Sequence, residues 1–135
     1  MNKTYVVFDT NVLVSAILSR RSDSATVKLF NALGRNQITP VFNEEILIEY
    51  EDVLNRGKFR FPREYVSDVI NRIVANGVRT DRIASGEFFP DPSDAVFYEV
   101  AISRDGTFLV TGNQRHFPID PIVVTPAELV EILGL

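Results

Sequence analysis

There is no cysteine in this chain of 135 residues, which excludes disulfides and thiolate-held metals and fits a reducing cytoplasm. A single histidine, His116, excludes a zinc site built from several imidazoles. Any metal here has to be held mainly by oxygen. No apolar run approaches the roughly 20 residues that a membrane span requires. An Asp is reached by position 9, so no secretory leader is expected. Positive charge is also scarce: 14 Lys and Arg stand against 18 Asp and Glu. The resulting net charge of −4 argues against a general nucleic-acid coat, which would be basic. It leaves room for an enzyme whose acidic site is filled by cations when nucleic acid arrives. What remains is 45% hydrophobic and 24% charged, the composition of a soluble globular protein. No repeat, low-complexity segment or linker divides the chain. One ordinary domain spanning residues 1–135 is expected, large enough to bury roughly 70% of its unfolded surface.

Short apolar segments alternate with helical patterns. Tyr5–Phe8 and Ile38–Phe42 read as strands, as do Val78–Thr80, Phe108–Thr111 and Ile122–Val124. The spacing predicts helices over Val12–Leu18 and Ser24–Leu33, the second stopped by Gly34 as a C-cap. Asn43 caps a helix through Leu54, and Pro62 opens another that reaches Asn76-Gly77. A further helix is expected from Asp91 to Arg104, with Pro92 at its first position. Thr125-Pro126-Ala127-Glu128 has the spacing of a capping box and opens the last helix. This alternation predicts an α/β fold whose parallel sheet is covered on both faces. Ligands of such sheets sit beyond the carboxyl ends of the strands, where Asp9 and Thr111-Gly112-Asn113 fall.

Some acids stand in unusual places. The stretch VVFDTNVLVSAIL, Val6–Leu18, sets Asp9 between two apolar segments, where an ionised carboxylate needs a reason. An N-cap role is the plain one, and it does not exclude metal ligation. In the helix from Asp91, Asp94 falls at the angle between Tyr98 and Ala101, inside an otherwise apolar surface. The plain reading there is a first-turn acid favoured by the helix dipole, worth about 0.3–1 kcal/mol. The helix after Asn43 carries Glu44, Glu45, Glu49, Glu51 and Asp52, mostly as a solvated face. Glu49 borders one edge of its apolar stripe and Glu51 the other, and periodicity does not choose between them.

Taken together, four motifs resemble a family. Asp9-Thr10-Asn11 follows an apolar strand, Glu49-Tyr50 precedes Val53-Leu54, Asp91-x-x-Asp94 opens a helix, and Val110-Thr111-Gly112 precedes a polar residue. In this order they are similar to the PIN-domain ribonucleases, most of all to small prokaryotic toxin components of toxin–antitoxin pairs, VapC-like in the broad sense. The resemblance implies a three-layer α/β/α sandwich with a mainly parallel sheet and an endoribonuclease activity that depends on Mg²⁺ or Mn²⁺. It implies a cognate antitoxin and a homodimer as partners. Carried over residue by residue, it points to Asp9, Glu49 and Asp94 as the catalytic and metal-binding acids, choosing Glu49 over Glu51. One departure stands out. A fourth acid of the family corresponds either to position 113 or to position 116, and here these are Asn113 and His116. The sequence therefore supports one well-occupied cation site more firmly than two.

The chemistry explains why such acids would be kept together. At about 4 Å and an effective dielectric near 20, each like-charge pair costs roughly 4 kcal/mol. A proton or a cation has to offset it. Thr10, Asn11, Thr111 and Asn113 are then expected to orient the ligands or a phosphate. For RNA contact, Arg56-Gly57-Lys58-Phe59-Arg60-Phe61 interleaves cations with aromatics, a mixture suited to a single strand. The plainer alternative packs both Phe residues into the core or a dimer contact. Arg20, Arg21 and Arg115 are further candidates, and His116 is read as loop surface or as a general acid. Two rival functions are weighed: a catalytically weak PIN fold that binds RNA or protein without cutting, and an aspartate-nucleophile phosphatase of the haloacid dehalogenase type. The latter wants a second Asp at position 11, which is Asn.

Overall fold

The computed structural model describes residues 3–135. Strand β1 (Tyr5–Phe8) is buried over its last three residues, as a strand covered on both faces must be. Helices α1 (Thr10–Leu18) and α2 (Ala25–Gly34) follow, then β2 (Thr39–Phe42), α3 (Glu44–Leu54), α4 (Arg63–Asn76) and the short strand β3 (Val78–Arg79). A long connection leads to a 3-10 turn at Pro92–Asp94, which runs into α5 (Ala95–Ile102). After β4 (Thr107–Val110) come a second 3-10 turn at Gln114–His116, β5 (Val123–Val124) and α6 (Pro126–Leu133).

All five strands are parallel, in the order β3-β2-β1-β4-β5. Helices on both faces complete the α/β/α sandwich, with α2 packed on α1 and α6, and α3 on α4 and α5. The chain builds outward from β1 to β3, then returns to add β4 and β5 on the other side. The reversal lies between β1 and β4, whose register sets Phe8 beside Val110. Such a switch point opens a crevice at the carboxyl ends of the two strands. Phe8, Phe42, Ile46, Tyr50, Phe97 and Leu109 fill the core beneath it. At the α4–β3 junction only glycine fits: a Cβ on Gly77 would lie 2.5 Å from the carbonyl oxygens of Ile73 and Pro40. Among the described residues no helix is long and apolar enough to cross a membrane.

Local signals act largely where the sequence puts them. Ser24 accepts from the Val27 amide, Asn43 accepts from the Ile46 amide at 2.9 Å, and Thr125 and Glu128 close the expected capping box. Two expectations need correction. Gly34 is still helical, and the positive φ of 60° falls at Asn36, a residue type that tolerates it. The helix expected to reach Arg104 opens as a 3-10 turn and stops at Ile102. There the Ser103 hydroxyl donates to the Val100 carbonyl at 2.6 Å, competing with continuation of the helix.

Candidate active site

Asp9 is the first residue past β1, and its amide still donates to the Val110 carbonyl at 3.0 Å. It occupies the N-cap position of α1, yet its side chain makes no capping hydrogen bond. Instead Oδ2 accepts the Thr111 hydroxyl at 2.8 Å, across 102 residues of sequence. The β1–β4 register makes these two strand-end residues neighbours. Thr111 is fully buried, and its oxygen also accepts the Asn113 amide at 3.0 Å, so its one proton is committed to Asp9. The capping role expected of Asp9 is therefore one of position only.

Glu49 is delivered by α3. The buried Tyr50 donates its hydroxyl to the Phe8 carbonyl at 2.5 Å and so pins the helix to the end of β1. One residue earlier, Glu49 Oε2 accepts the Thr10 hydroxyl at 2.5 Å. Glu51 is exposed and stays outside this crevice. Asp94 ends the first 3-10 turn, and its Oδ2 lies 3.1 Å from His116 Nδ1. Asp91 caps that turn by accepting the Ser93 amide at 3.0 Å and hydroxyl at 2.8 Å. Of the two acids in Asp91-x-x-Asp94, the first secures the backbone and the second bonds the His116 ring.

The electrostatics are those of a crowded acidic site. Burial raises the Asp9 carboxyl above its ordinary range, the Thr111 bond opposes this, and the charge of Asp94 adds to it. Burial is also the first cause at Glu49, where the Thr10 bond opposes it and Asp9 and Asp91 reinforce it. At Asp94 burial and Asp91 raise the carboxyl, against the His116 contact. Neither Asp9 nor Glu49 has a salt-bridge partner among the described residues. Nor do any three His, Cys, Asp or Glu among the described residues form a ready-made metal cage. Carboxylates without a cationic partner suit a hard cation that keeps several waters and touches only one or two of them directly. Its charge would oppose each of the three upward shifts.

Other expected groups separate into two sets. Thr10 and Thr111 touch the acids directly. Asn11 is exposed, and the Asn113 side chain turns to His116. Among the expected cations, Arg21 pairs with Asp23 at 3.1 Å and Arg56 with Asp52 at 3.4 Å. Lys58 lies over the Phe59 ring at 5.1 Å, and Arg20, Arg60 and Arg115 are exposed. Phe59 and Phe61 stack on each other and pack half-buried against the core, so these rings do not stand free as the interleaved pattern suggested. Sequence reasoning missed the anchoring role of Tyr50 and, having read His116 as loop surface or a general acid, missed its contact with Asp94. Tyr50 patterns as core; the only signal for His116 was its place where an acid was expected. A cavity of about 420 Å³ between α2 and α4 is lined by Phe30, Leu33, Tyr65, Val69 and Arg72 and contains none of the clustered acids.

The fold is similar to one in the crystal structure of VapBC2 from Rickettsia felis bound to a DNA fragment from their promoter. The TM-score is 0.55 at 16% identity, covering 90% of this chain and 97% of that one, a likeness of fold alone. No curated protein sequence matches. The PIN domain family model matches residues 5–115, from the first residue of β1 to the one before His116. That span takes in Asp9, Glu49, Asp94 and Thr111 together: the chain belongs to the PIN domain family.

Proposed function

We propose that this protein is a divalent-metal-dependent endoribonuclease that cuts single-stranded RNA, acting as the toxin of a toxin–antitoxin pair. The observation that supports the reading is the mutual repulsion among Asp9, Glu49 and Asp94, with no salt bridge to Asp9 or Glu49 among the described residues, in a chain of the PIN domain family. PIN domains are generally nucleases, which supports phosphodiester hydrolysis. Mg²⁺ or Mn²⁺, when bound, supplies a more acidic water and positive charge opposite the phosphoryl oxygens. The chain's own residues do the rest. Asp9, Glu49 and Asp94 would hold the cation, directly or through its waters, while Thr111 and Thr10 fix the orientations of Asp9 and Glu49. Asp91 stabilises the turn that carries Asp94. On this reading Asn11 and Asn113 would orient phosphate, and Arg20, Arg21, Arg56, Lys58, Arg60 and Arg115 would attract the RNA backbone.

The resemblance to toxin components, together with a structural neighbour named VapBC2, supports a cognate antitoxin as protein partner; the homodimer rests on the resemblance alone. Cytoplasmic RNA would then be the substrate pool. The deciding experiment is a cleavage assay on varied single-stranded RNAs, with and without Mn²⁺, beside Asp9→Asn. Metal-dependent cutting by the parent and none by the variant is expected; cutting that survives in both without metal would sink the proposal. A second reading, binding without cutting, is favoured by one observation: the fourth-acid place holds His116. Tight RNA binding with no turnover under any metal would select it. Membership of the PIN family displaces the phosphatase reading.

A further inference from the structure

Asn113, His116 and Asp94 form a chain of contacts at the corner where a fourth acid was expected. His116 Nδ1 lies 3.1 Å from Asp94 Oδ2, and Asn113 Nδ2 lies 3.0 Å from His116 Nε2 and 3.3 Å from Nδ1. A carboxylate only accepts, and an amide NH₂ only donates. The ring nitrogen facing Asp94 therefore carries a hydrogen. Backbone contacts hold the arrangement. The Asn113 amide donates to the Thr111 hydroxyl oxygen at 3.0 Å, and the His116 amide donates to the Asn113 carbonyl at 3.1 Å. One continuous set of hydrogen bonds thus runs from Asp9 through Thr111 and Asn113 to His116 and Asp94.

We infer that His116 is a positioning residue for Asp94, and that the Asn113–His116–Asp94 chain fills the place of a second cation and leaves a single divalent site. This rests on the metal-dependent reading above. An N–H on Oδ2 fixes the Asp94 carboxyl and leaves its other oxygen for a cation. An imidazole with an N–H turned to Asp94 brings no negative charge to attract a second cation, whereas a carboxylate in the same place would. Outer partners of metal ligands typically contribute about 10–100-fold in metal affinity, so the effect is measurable. His116 is also a safe position to change, because its side chain is 42% exposed and outside the core.

The test is Mn²⁺ titration by calorimetry on the full chain, with no RNA present. The parent should take up one ion. His116→Ala should still take up one, but about 10-fold or more weaker. His116→Asn, whose amide can donate from nearly the same point, should recover most of the parent's affinity. His116→Asp should gain a second site. Two equally tight sites in the parent, or parental affinity in His116→Ala, would overturn the inference while leaving metal dependence intact. No Mn²⁺ uptake by any of the four proteins would instead overturn the metal reading, and this inference with it.

Discussion

At Asp9 a hydroxyl from the far end of the chain replaces the amides that would ordinarily cap a helix, and the carboxylate is left turned toward the crevice. Asp9→Asn, Glu49→Gln and Asp94→Asn should each abolish metal-dependent cleavage. A unit charge lost about 4 Å from a cation, at an effective dielectric near 20, removes roughly 4 kcal/mol, so a fall of at least about a hundredfold in rate is expected. The same substitutions should leave the metal-free protein as stable as the parent or more so at neutral pH. Each carboxyl sits above its ordinary range, so its ionisation there costs the folded state. Chemical denaturation in chelator measures this; marked destabilisation by all three would contradict it. Glu51→Gln is the control and should change neither property. Had Glu51 been the one needed, the crevice around Glu49 would have no catalytic meaning.

Helices and loops carry the next level of organisation. Tyr50→Phe leaves the Phe8 carbonyl without its buried partner and should cost about 1–3 kcal/mol in thermal or denaturant unfolding. Cleavage should fall further than stability does, because α3 also carries Glu49. The connection before α5 is tied down by Arg82, which bonds Glu45 at 2.7 Å and Glu99 at 2.6 Å. Burial raises the Glu99 carboxyl, but the Ser85 amide and the Arg82 guanidinium outweigh it and hold Glu99 below its ordinary value of 4.5. A depressed carboxyl stabilises the fold above that value and loses the effect as pH falls through the lowered one. Glu99→Gln should therefore lower the melting temperature at pH 7 and make progressively less difference as the pH is taken below the ordinary glutamate range; an equal deficit at neutral and at acid pH would refute the linkage. Along the segment after α3, replacing Arg56, Lys58 and Arg60 with Ala should weaken RNA binding and flatten its salt dependence by up to about 2 in logarithmic slope. The rings between them are already packed inward, so phosphate attraction is what this segment has to offer. An unchanged slope would assign it to protein contacts.

For the molecule as a whole, a cation that binds only the folded state should stabilise it. Mn²⁺ at about a hundred times its Kd adds roughly 2.7 kcal/mol, a rise of several degrees in melting temperature that Asp9→Asn should lack. Most of the architecture behind this was legible in the residues. β1 and β4 announce themselves as short apolar runs, and Asn43 and Thr125 as caps, because those signals are local. Periodicity did not choose between Glu49 and Glu51, and only the family resemblance did, since the choice depends on which edge of α3 meets β1, where the long-range Tyr50–Phe8 bond pins the helix. His116 was illegible for the same reason: nothing near it in sequence indicates Asp94, 22 residues earlier. The β1–β4 pairing also imposes an order in time. Asp9 is synthesised 102 residues before the hydroxyl that holds it. At about 5–20 residues per second that is a delay of roughly 5–20 s. Through that interval the growing chain carries Asp9 without the strand whose hydroxyl holds it, and on the proposed function its chemistry waits until β4 has been made.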